Sequence, residues 1–439
     1  MRFVLLVLTA YQLLGSDSGP APVTKLELVS GLATFQYQLD LVRRVRERGV
    51  DFAPGADFVD TLNRAGASKE LVSAVRSARS QDHGDEAVIE NQVISYVSTC
   101  AELEHRGQTG GVAENCEPAL KLLPNNVFAL AAISYALAHD FHSKDALPHI
   151  QQAVRLAPQS SEVHRVYAYV LMQEDAKEME EADRNEEQNE QREQKYQERF
   201  DGAVSEYLEA IRLDPDNTMA HYELAQTYNS DEPERALEQF REVARLDPAS
   251  AYALYEVGVS LAAQSRLDDA LVELAKAEKA DPSFARAYQM RASIFSENKQ
   301  FNEAVREASK AVELEPRYTP YRLTLSGVFL EKGDFEQAIK VLREAASSDP
   351  ENPVPSLYIA GIFHDRGDLA RAISALREGI RLSPHWSYLH RELGGLLEET
   401  GDFSGAFFEY KEVMKLSGES EELQAAISRV RARLPSTTP

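Results

Sequence analysis

Residues 251–284, AYALYEVGVSLAAQSRLDDALVELAKAEKADPSF, contain the pattern that decides the fold of this chain. In this stretch Ala270 and Pro282 each belong to a series that recurs along the sequence, mostly in steps of 34 residues. The alanines are Ala146, Ala203, Ala236, Ala270, Ala304, Ala338, Ala372 and Ala406, and the prolines are Pro158, Pro215, Pro248, Pro282, Pro316, Pro350 and Pro384. Such a period predicts a solenoid of helix pairs, an architecture that presents a surface rather than enclosing a reaction.

Small residues mark where the two helices of each pair touch. If the recurring alanine is position 20 of a repeat, position 8 is also small in every repeat: Ser134, Ala168, Ala225, Gly258, Ala292, Ser326, Ala360 and Gly394. Two helices approach closely only where neither side chain intrudes, so we expect positions 8 and 20 to face each other. Proline at position 32 separates successive repeats, and Gly333, Gly367 and Gly401 at position 15 suit the turn inside a pair.

This pattern resembles the tetratricopeptide repeat family over residues 127–418, in eight repeats. The departures are mild: position 4 never holds Trp, Arg291 replaces an aliphatic residue, and Gly418 stands where the last proline is expected. The resemblance implies an all-α fold, a right-handed superhelical solenoid of antiparallel helix pairs. A degenerate leading repeat is expected at 93–126, and a capping helix at 419–434, running from Glu421 to Leu434, is expected to cover the last pair.

Composition argues against several functions. The chain has 47 basic and 71 acidic residues and a net charge of −24, so nucleic acid is an unfavourable partner. Glycine-rich phosphate loops and metalloprotease or calcium motifs are missing from the sequence, and no stretch is left to form a catalytic domain. We therefore predict a protein that is not an enzyme and needs no cofactor or metal. His139, Asp140, His142 and Asp145 crowd one turn, which a polar turn explains more simply than a metal site.

The N-terminal residues and the two cysteines indicate the cellular compartment of the protein. Residues 1–21, with a basic start and an apolar run too short to span a bilayer, predict a signal peptide and an exported, periplasmic or secreted protein. The alternative is an apolar first helix or a wrongly assigned start. Cys100 and Cys116 fall at facing positions of the leading repeat and predict a disulfide, the alternative being two buried thiols. Residues 435–439 form a short tail.

Three further segments interrupt or precede the repeats. Residues 24–80 predict a separate small helical module, followed by a linker at 81–92. Its helices are expected at Phe35–Arg48, Gly55–Arg64 and Lys69–Arg79, with Ser68 as the cap of the third. Its arginines are either a solvated helix face or a dock for an acidic partner. The insertion 175–197 in the second repeat predicts a charged spur made by extending both helices, with disorder as the alternative.

The candidate binding surface follows from the family resemblance. In that family the inner face is lined by positions 2, 5, 9, 12 and 13 of each first helix, and we call this surface the first-helix face. It offers Phe128, Tyr135, Tyr169, Tyr222, Tyr252 and Tyr255 in the first four repeats, and Gly327, Gly361 and Gly395 at position 9 of the last three. We expect Tyr222 and Tyr252 to lie side by side. Packing between neighbouring repeats would also explain the tyrosines. A wider or tighter superhelix would also explain the glycines.

The predicted function is therefore a scaffold that binds a protein or an extended peptide on the first-helix face. Tyrosine supplies apolar area together with a hydroxyl group, and glycine lets a ligand backbone approach closely. Two alternatives stay open at this point. The first is a folding or assembly helper that binds many apolar peptides weakly, and the second is an accessory subunit of an enzyme.

Overall fold

The computed structural model describes residues 22–34, 38–79, 88–106, 112–140, 142–173, 189–228 and 232–434. Across these residues the regular structure is helical, apart from one parallel bridge between Val23 and Val50. The all-α prediction is confirmed. The chain divides into two compact units, an N-terminal unit that ends at Pro248 and a C-terminal unit that begins at Ala249. In the described part of the chain, no helix has both the length and the apolar character needed to cross a membrane.

The N-terminal unit contains twelve helices in its described residues. They are α1 Lys25–Ala33, α2 Gln38–Arg48, α3 Ala56–Arg64, α4 Lys69–Ser77, α5 Val88–His105, α6 Val112–Leu122, α7 Val127–His139, α8 Ser143–Leu156, α9 Ser161–Met172, α10 Asn189–Leu213, α11 Thr218–Tyr228 and α12 Pro233–Leu246. From α5 onward they pack as successive pairs, α5 with α6, α7 with α8, α9 with α10 and α11 with α12. The leading repeat and the first three full repeats are therefore helix pairs.

The C-terminal unit contains the other five repeats and one last helix. Its helices are α13 Ala251–Ala263, α14 Leu267–Ala280, α15 Ala285–Glu297, α16 Phe301–Leu314, α17 Thr319–Glu331, α18 Phe335–Ser348, α19 Val354–Asp365, α20 Leu369–Leu382, α21 Ser387–Glu399, α22 Phe403–Ser417 and α23 Glu421–Arg431. The odd-numbered helices α13 to α21 are the first helices, and each packs on the helix that follows it.

Small residues bring the helices of a pair together as predicted. A Cβ atom added to Gly258 would lie 2.7 Å from Cγ of Leu274 and 3.4 Å from the carbonyl oxygen of Ala270. The hydroxyl of Ser326 donates to the carbonyl oxygen of Ala338 at 3.3 Å, which joins position 8 directly to position 20. A larger side chain at position 8 would separate the two helices.

The turns inside the pairs need a left-handed residue at position 15. Gly333 and Gly367 have φ values of 83° and 74°, as the turn prediction requires. In the fourth and fifth repeats Ser265 and Lys299 occupy the same position with φ of 59°, a conformation that costs more for residues with a Cβ atom. The turn geometry is thus maintained even where the favourable residue is missing.

Residues 22–79 do not form a separate module, which corrects the sequence prediction. Helix α1 packs on α5 and α7, and its Leu28 and Val29 lie in one apolar core with Val93 and Ala129 of the repeats. Eight of the nine residues of α1 are buried, so the helix has no polar face whose period could have revealed it. Helices α2, α3 and α4 match the predicted helices, and the hydroxyl of Ser68 accepts a hydrogen bond from the amide of Leu71 as expected.

The insertion extends only one of the two helices that flank it. Helix α10 begins at Asn189, inside the insertion, whereas α9 ends at Met172 and Gln173 is already extended. The prediction that both helices lengthen is therefore wrong for the first one. The remainder of the spur, together with the predicted signal peptide, linker and tail, lies outside the described residues.

The capping helix is confirmed. Helix α23 starts after Ser420, whose hydroxyl accepts from the amide of Leu423 at 3.2 Å, and it ends three residues before the predicted Leu434. Leu423, Ile427 and Val430 are buried in the core of the last repeat. They cover the apolar side that a terminal helix pair would otherwise expose.

Candidate functional site

In the N-terminal unit, the chain's own residues cover part of the first-helix face. Helix α1 contacts α5 and α7, which are both first helices. The hydroxyl of Ser30 donates to the carbonyl oxygen of Phe128 at 3.0 Å, so this part of the face is covered. A partner could reach it only by displacing α1 and the buried leucine and valine side chains of that helix.

A buried arginine fixes the end of α1 to the repeats. Arg165, at position 5 of α9, is 0% exposed, and its Nη2 atom donates to the carbonyl oxygen of Thr34 at 2.7 Å. The same guanidinium group pairs with Glu162 at 2.7 Å and Glu223 at 2.6 Å. Burial raises the pKa of the Glu223 carboxyl, and the positive charge of Arg165 opposes this shift. A buried charge is tolerated only with such compensation, so Arg165 is a structural clamp.

A second attachment joins α2 to the start of α11. One carboxylate oxygen of Asp40 accepts from the amide of Thr218 at 3.0 Å, and the other accepts from the Thr218 hydroxyl at 2.8 Å. Burial raises the pKa of Asp40 to about 6, while the Thr218 hydroxyl hydrogen bond and the charges of Arg44 and Arg43 oppose the shift. Arg43 pairs with Asp214 at 3.1 Å, so this arginine serves the fold rather than an acidic partner.

The tyrosines that the sequence places on the first-helix face of the N-terminal unit are packed. Tyr169 is half-buried and stacks on Tyr135, with ring centroids 4.4 Å apart and planes 18° apart. Tyr222 is half-buried as well, accepts a hydrogen bond from Gln226 at 3.1 Å, and lies 6.1 Å from the ring of Phe240. Contacts between neighbouring repeats and within a pair account for these side chains. The expected contact between Tyr222 and Tyr252 joins residues of different units and stays a prediction.

The C-terminal unit exposes several tyrosines of its first helices. Tyr252 is 36% exposed and Tyr255 half-buried, and both flank the ring of Phe284 at centroid distances of 6.3 and 5.5 Å. Sequence reasoning missed two further residues, Tyr358 at position 6 and Tyr388 at position 2, which are 47% and 42% exposed. Position 2 belongs to the first-helix face, and position 6 borders it, one helical turn from positions 2 and 9, so the helical period could have identified both residues.

Three glycines of this face are not required by the fold. Apart from the adjacent residues and backbone of its own helix, a Cβ atom added to Gly327, Gly361 or Gly395 would meet no described atom within 4 Å. By contrast, a Cβ atom on the neighbouring Gly394, at position 8, would lie 2.7 Å from Cε1 of Tyr410. Packing therefore explains glycine at position 8 and leaves glycine at position 9 unexplained.

Family models match the middle of the chain. A model described as TPR repeat matches residues 194–230, and two described as tetratricopeptide repeat match 228–285 and 296–357. The chain contains tetratricopeptide repeats. No curated protein matches it.

Several solved structures resemble this tetratricopeptide-repeat protein. A crystal structure of MamA is 22% identical, covers 36% of this chain and 87% of its own, and has a TM-score of 0.33. YrrB, titled a TPR protein with an unusual peptide-binding site, is 20% identical, with coverages of 40% and 92% and a TM-score of 0.32. A tetratricopeptide repeat protein from Parabacteroides merdae is 14% identical, with coverages of 54% and 93% and a TM-score of 0.39.

The cysteines lie in the leading repeat of this tetratricopeptide-repeat protein. Cys100 is 1% exposed and takes part in a disulfide. Cys116 is on α6, but its side chain lies outside the described part of the chain, so the pairing of the two stays a prediction. Among the described residues, no group of three or more His, Cys, Asp and Glu side chains is placed to hold a metal ion.

Proposed function

We propose that this protein is a non-catalytic scaffold, and that it binds an extended segment of a partner protein on the first-helix face of its C-terminal unit. The observation that carries the proposal is the open space at Gly327, Gly361 and Gly395. Glycine within a helix costs about 1 kcal/mol relative to alanine. Three such residues at one position of successive repeats, none needed for packing, fit a surface that a ligand backbone approaches closely.

Exposed aromatic side chains support the same surface. Tyr252, Tyr358 and Tyr388 are each more than a third exposed and all belong to first helices. Tyrosine contributes large contact area at a small entropic cost, and its hydroxyl adds specificity, which is why it is frequent at binding hot spots. The net charge of −24 argues against nucleic acid and favours a protein ligand.

We also propose that the protein is exported. Met1 and Arg2 precede the apolar run Phe3–Leu14, a pattern typical of a signal peptide. The disulfide at Cys100 suits an oxidising compartment. Mass spectrometry of the protein purified from its native source tests this proposal. An N-terminus near residue 22 is expected, and an intact Met1 or a cytosolic location would contradict it.

A selection of short, unstructured peptides on the immobilised full chain tests the binding function. Peptides enriched over a blank surface would be measured by fluorescence anisotropy against the natural protein and its Gly361→Ala and Tyr358→Ala variants. Each substitution is expected to weaken binding about tenfold, because it removes backbone approach or an aromatic anchor. Phe408→Ala, an exposed aromatic on the second helix α22, is the matched control and should bind normally. Unchanged affinity in both first-helix variants would refute the proposal.

A further inference from the structure

The start of α11 shows how a first helix of this protein binds a carboxylate. Thr218 is position 1 of its repeat and the first residue of the helix. Its amide and its hydroxyl both donate to Asp40, at 3.0 and 2.8 Å, and Asp40 comes from α2, 178 residues earlier. Helix starts favour negative charge because their first amide groups lack partners inside the helix. Here the chain itself supplies that charge.

The start of α17 has the same residue without a partner. Thr319, also at position 1, is 5% exposed, and its Oγ1 atom is buried with no hydrogen-bond partner among the described residues. The preceding residue, Tyr318, provides no side-chain cap to the helix. A buried hydroxyl without a partner is unfavourable and rare in folded proteins, which sets this helix start apart from that of α11.

At position 33 the charge is reversed between the two helix starts, although position 31 is acidic before both. In the N-terminal unit, Asp216 stands two residues before Thr218 and pairs with Arg43 at 3.3 Å. In the C-terminal unit, Arg317 stands two residues before Thr319, is exposed, and forms no ion pair within the part of the chain that the structure describes. Arg317 therefore supplies a positive charge beside the start of α17. At the start of α11 the positive charge comes from Arg43 of α2.

We propose that the start of α17 binds a carboxylate of the partner, with Thr319 donating from its amide and hydroxyl groups and Arg317 supplying the positive charge. This site rests on the proposed function, because it places one anchor of the same bound segment. Tyr318, the residue before Thr319, is 48% exposed and packs edge-on against Tyr321, with ring centroids 4.8 Å apart. Because the Thr319 hydroxyl is buried in the free protein, the proposal requires the Tyr318 ring to rotate when the carboxylate binds. The carboxylate belongs to an Asp or Glu side chain or to a peptide C-terminus.

Neutralised peptides test the site. Peptides selected on the natural protein would be remade with each Asp or Glu changed to Asn or Gln, and separately with an amidated C-terminus, which distinguishes the two sources. Loss of one carboxylate is expected to weaken binding about tenfold. Thr319→Val and Arg317→Gln should weaken the acidic peptide by a similar factor and leave its neutral counterpart unchanged. Arg377→Gln, an exposed arginine on the second helix α20, is the control for general charge effects.

The outcomes separate this site from the wider function. If no peptide binds the natural protein, the proposed function fails and this inference fails with it. If peptides bind, but neither neutralising their carboxylates nor the Thr319→Val and Arg317→Gln substitutions change the affinity, only the carboxylate site is refuted. Thermal unfolding checks the folding of the variants: Thr319→Val should leave the melting temperature unchanged or higher, since its hydroxyl has no bond to lose, and Thr218→Val should lower it.

Discussion

The first-helix faces of the two units differ although they are built from the same repeat. Arg165 in the N-terminal unit and Arg391 in the C-terminal unit both stand at position 5 of a first helix. Arg165 is fully buried against Thr34 and two glutamates, whereas Arg391 is exposed. The repeat thus determines the position of a side chain on its helix, and contacts with the rest of the chain determine whether that side chain is buried. Residues of the first face hold helices of the N-terminal unit together, whereas Arg391 of the second face is exposed.

The largest expected effect is on stability at Arg165. Arg165→Ala leaves the buried Glu223 and the half-buried Glu162 without their cation, so it should destabilise the protein by about 3 to 5 kcal/mol. Arg391→Ala, at the same position of its repeat, should cost less than about 0.5 kcal/mol. Urea unfolding followed by circular dichroism measures both. Equal losses of unfolding free energy for the two substitutions would contradict the proposed difference between the faces.

The disulfide is expected to stabilise the leading repeat, on which α1 packs. Changing Cys100 and Cys116 together to Ser should reduce stability by about 3 kcal/mol, because the crosslink restricts the unfolded chain. Chemical unfolding of the double variant, compared with the chemically reduced natural protein, measures the effect. Alkylation of the denatured, unreduced protein is the independent check. Two reactive thiols in that experiment would show that the predicted pair does not form.

Asp40 is expected to make the N-terminal unit sensitive to pH. Burial raises its folded pKa to about 6, above the unfolded value of about 3.9, so its contribution to stability is full below pH 4 and is lost as the pH rises through 6. Relative to Asp40→Asn, the natural protein should lose about 2 to 3 kcal/mol between pH 4 and pH 7. The charges facing Asp40 are Arg43 and Arg44 of its own helix, and Asp214 and Asp216 at the start of α11 pair with Arg43.

Urea unfolding at several pH values measures this dependence. The exposed Asp57→Asn variant is the matched control and should follow the pH profile of the natural protein. Parallel profiles for the natural protein and Asp40→Asn would show that Asp40 does not titrate differently on folding. The attachment of α2 to α11 would then be independent of pH.

The smallest effect distinguishes two kinds of glycine. Gly361→Ala should stabilise the protein by about 1 kcal/mol, because the methyl group meets open space and alanine favours the helix. Gly394→Ala should destabilise it, since its Cβ atom would overlap the ring of Tyr410. Melting temperatures of the two variants give the signs. A loss of stability at Gly361 would mean that packing, and not ligand approach, explains the position 9 glycines.

The repeats were predictable from sequence because each one repeats the same local requirements. Small residues at positions 8 and 20 and the left-handed turn at position 15 gave the helix pairs and their order. The cover of the N-terminal face was not predictable, because contacts such as that between Thr34 and Arg165 join residues 131 positions apart and follow no period. Helix α1 was missed since a helix buried on all sides shows no amphipathic pattern. Tyr388 was missed because aromatic residues were sought only in the first four repeats, and Tyr358 was missed because position 6 is not among the positions assigned to the first-helix face.

Photo-crosslinking tests most directly whether the C-terminal first-helix face is the binding surface. A photoreactive phenylalanine analogue would replace Tyr358 on α19 or, as the control, Phe408 on α22, which is 61% exposed. A selected peptide would then be irradiated with each full-length protein, and the adducts located by mass spectrometry. The peptide is expected to be captured at position 358 and not at position 408. Capture at position 408 with none at position 358 would contradict it.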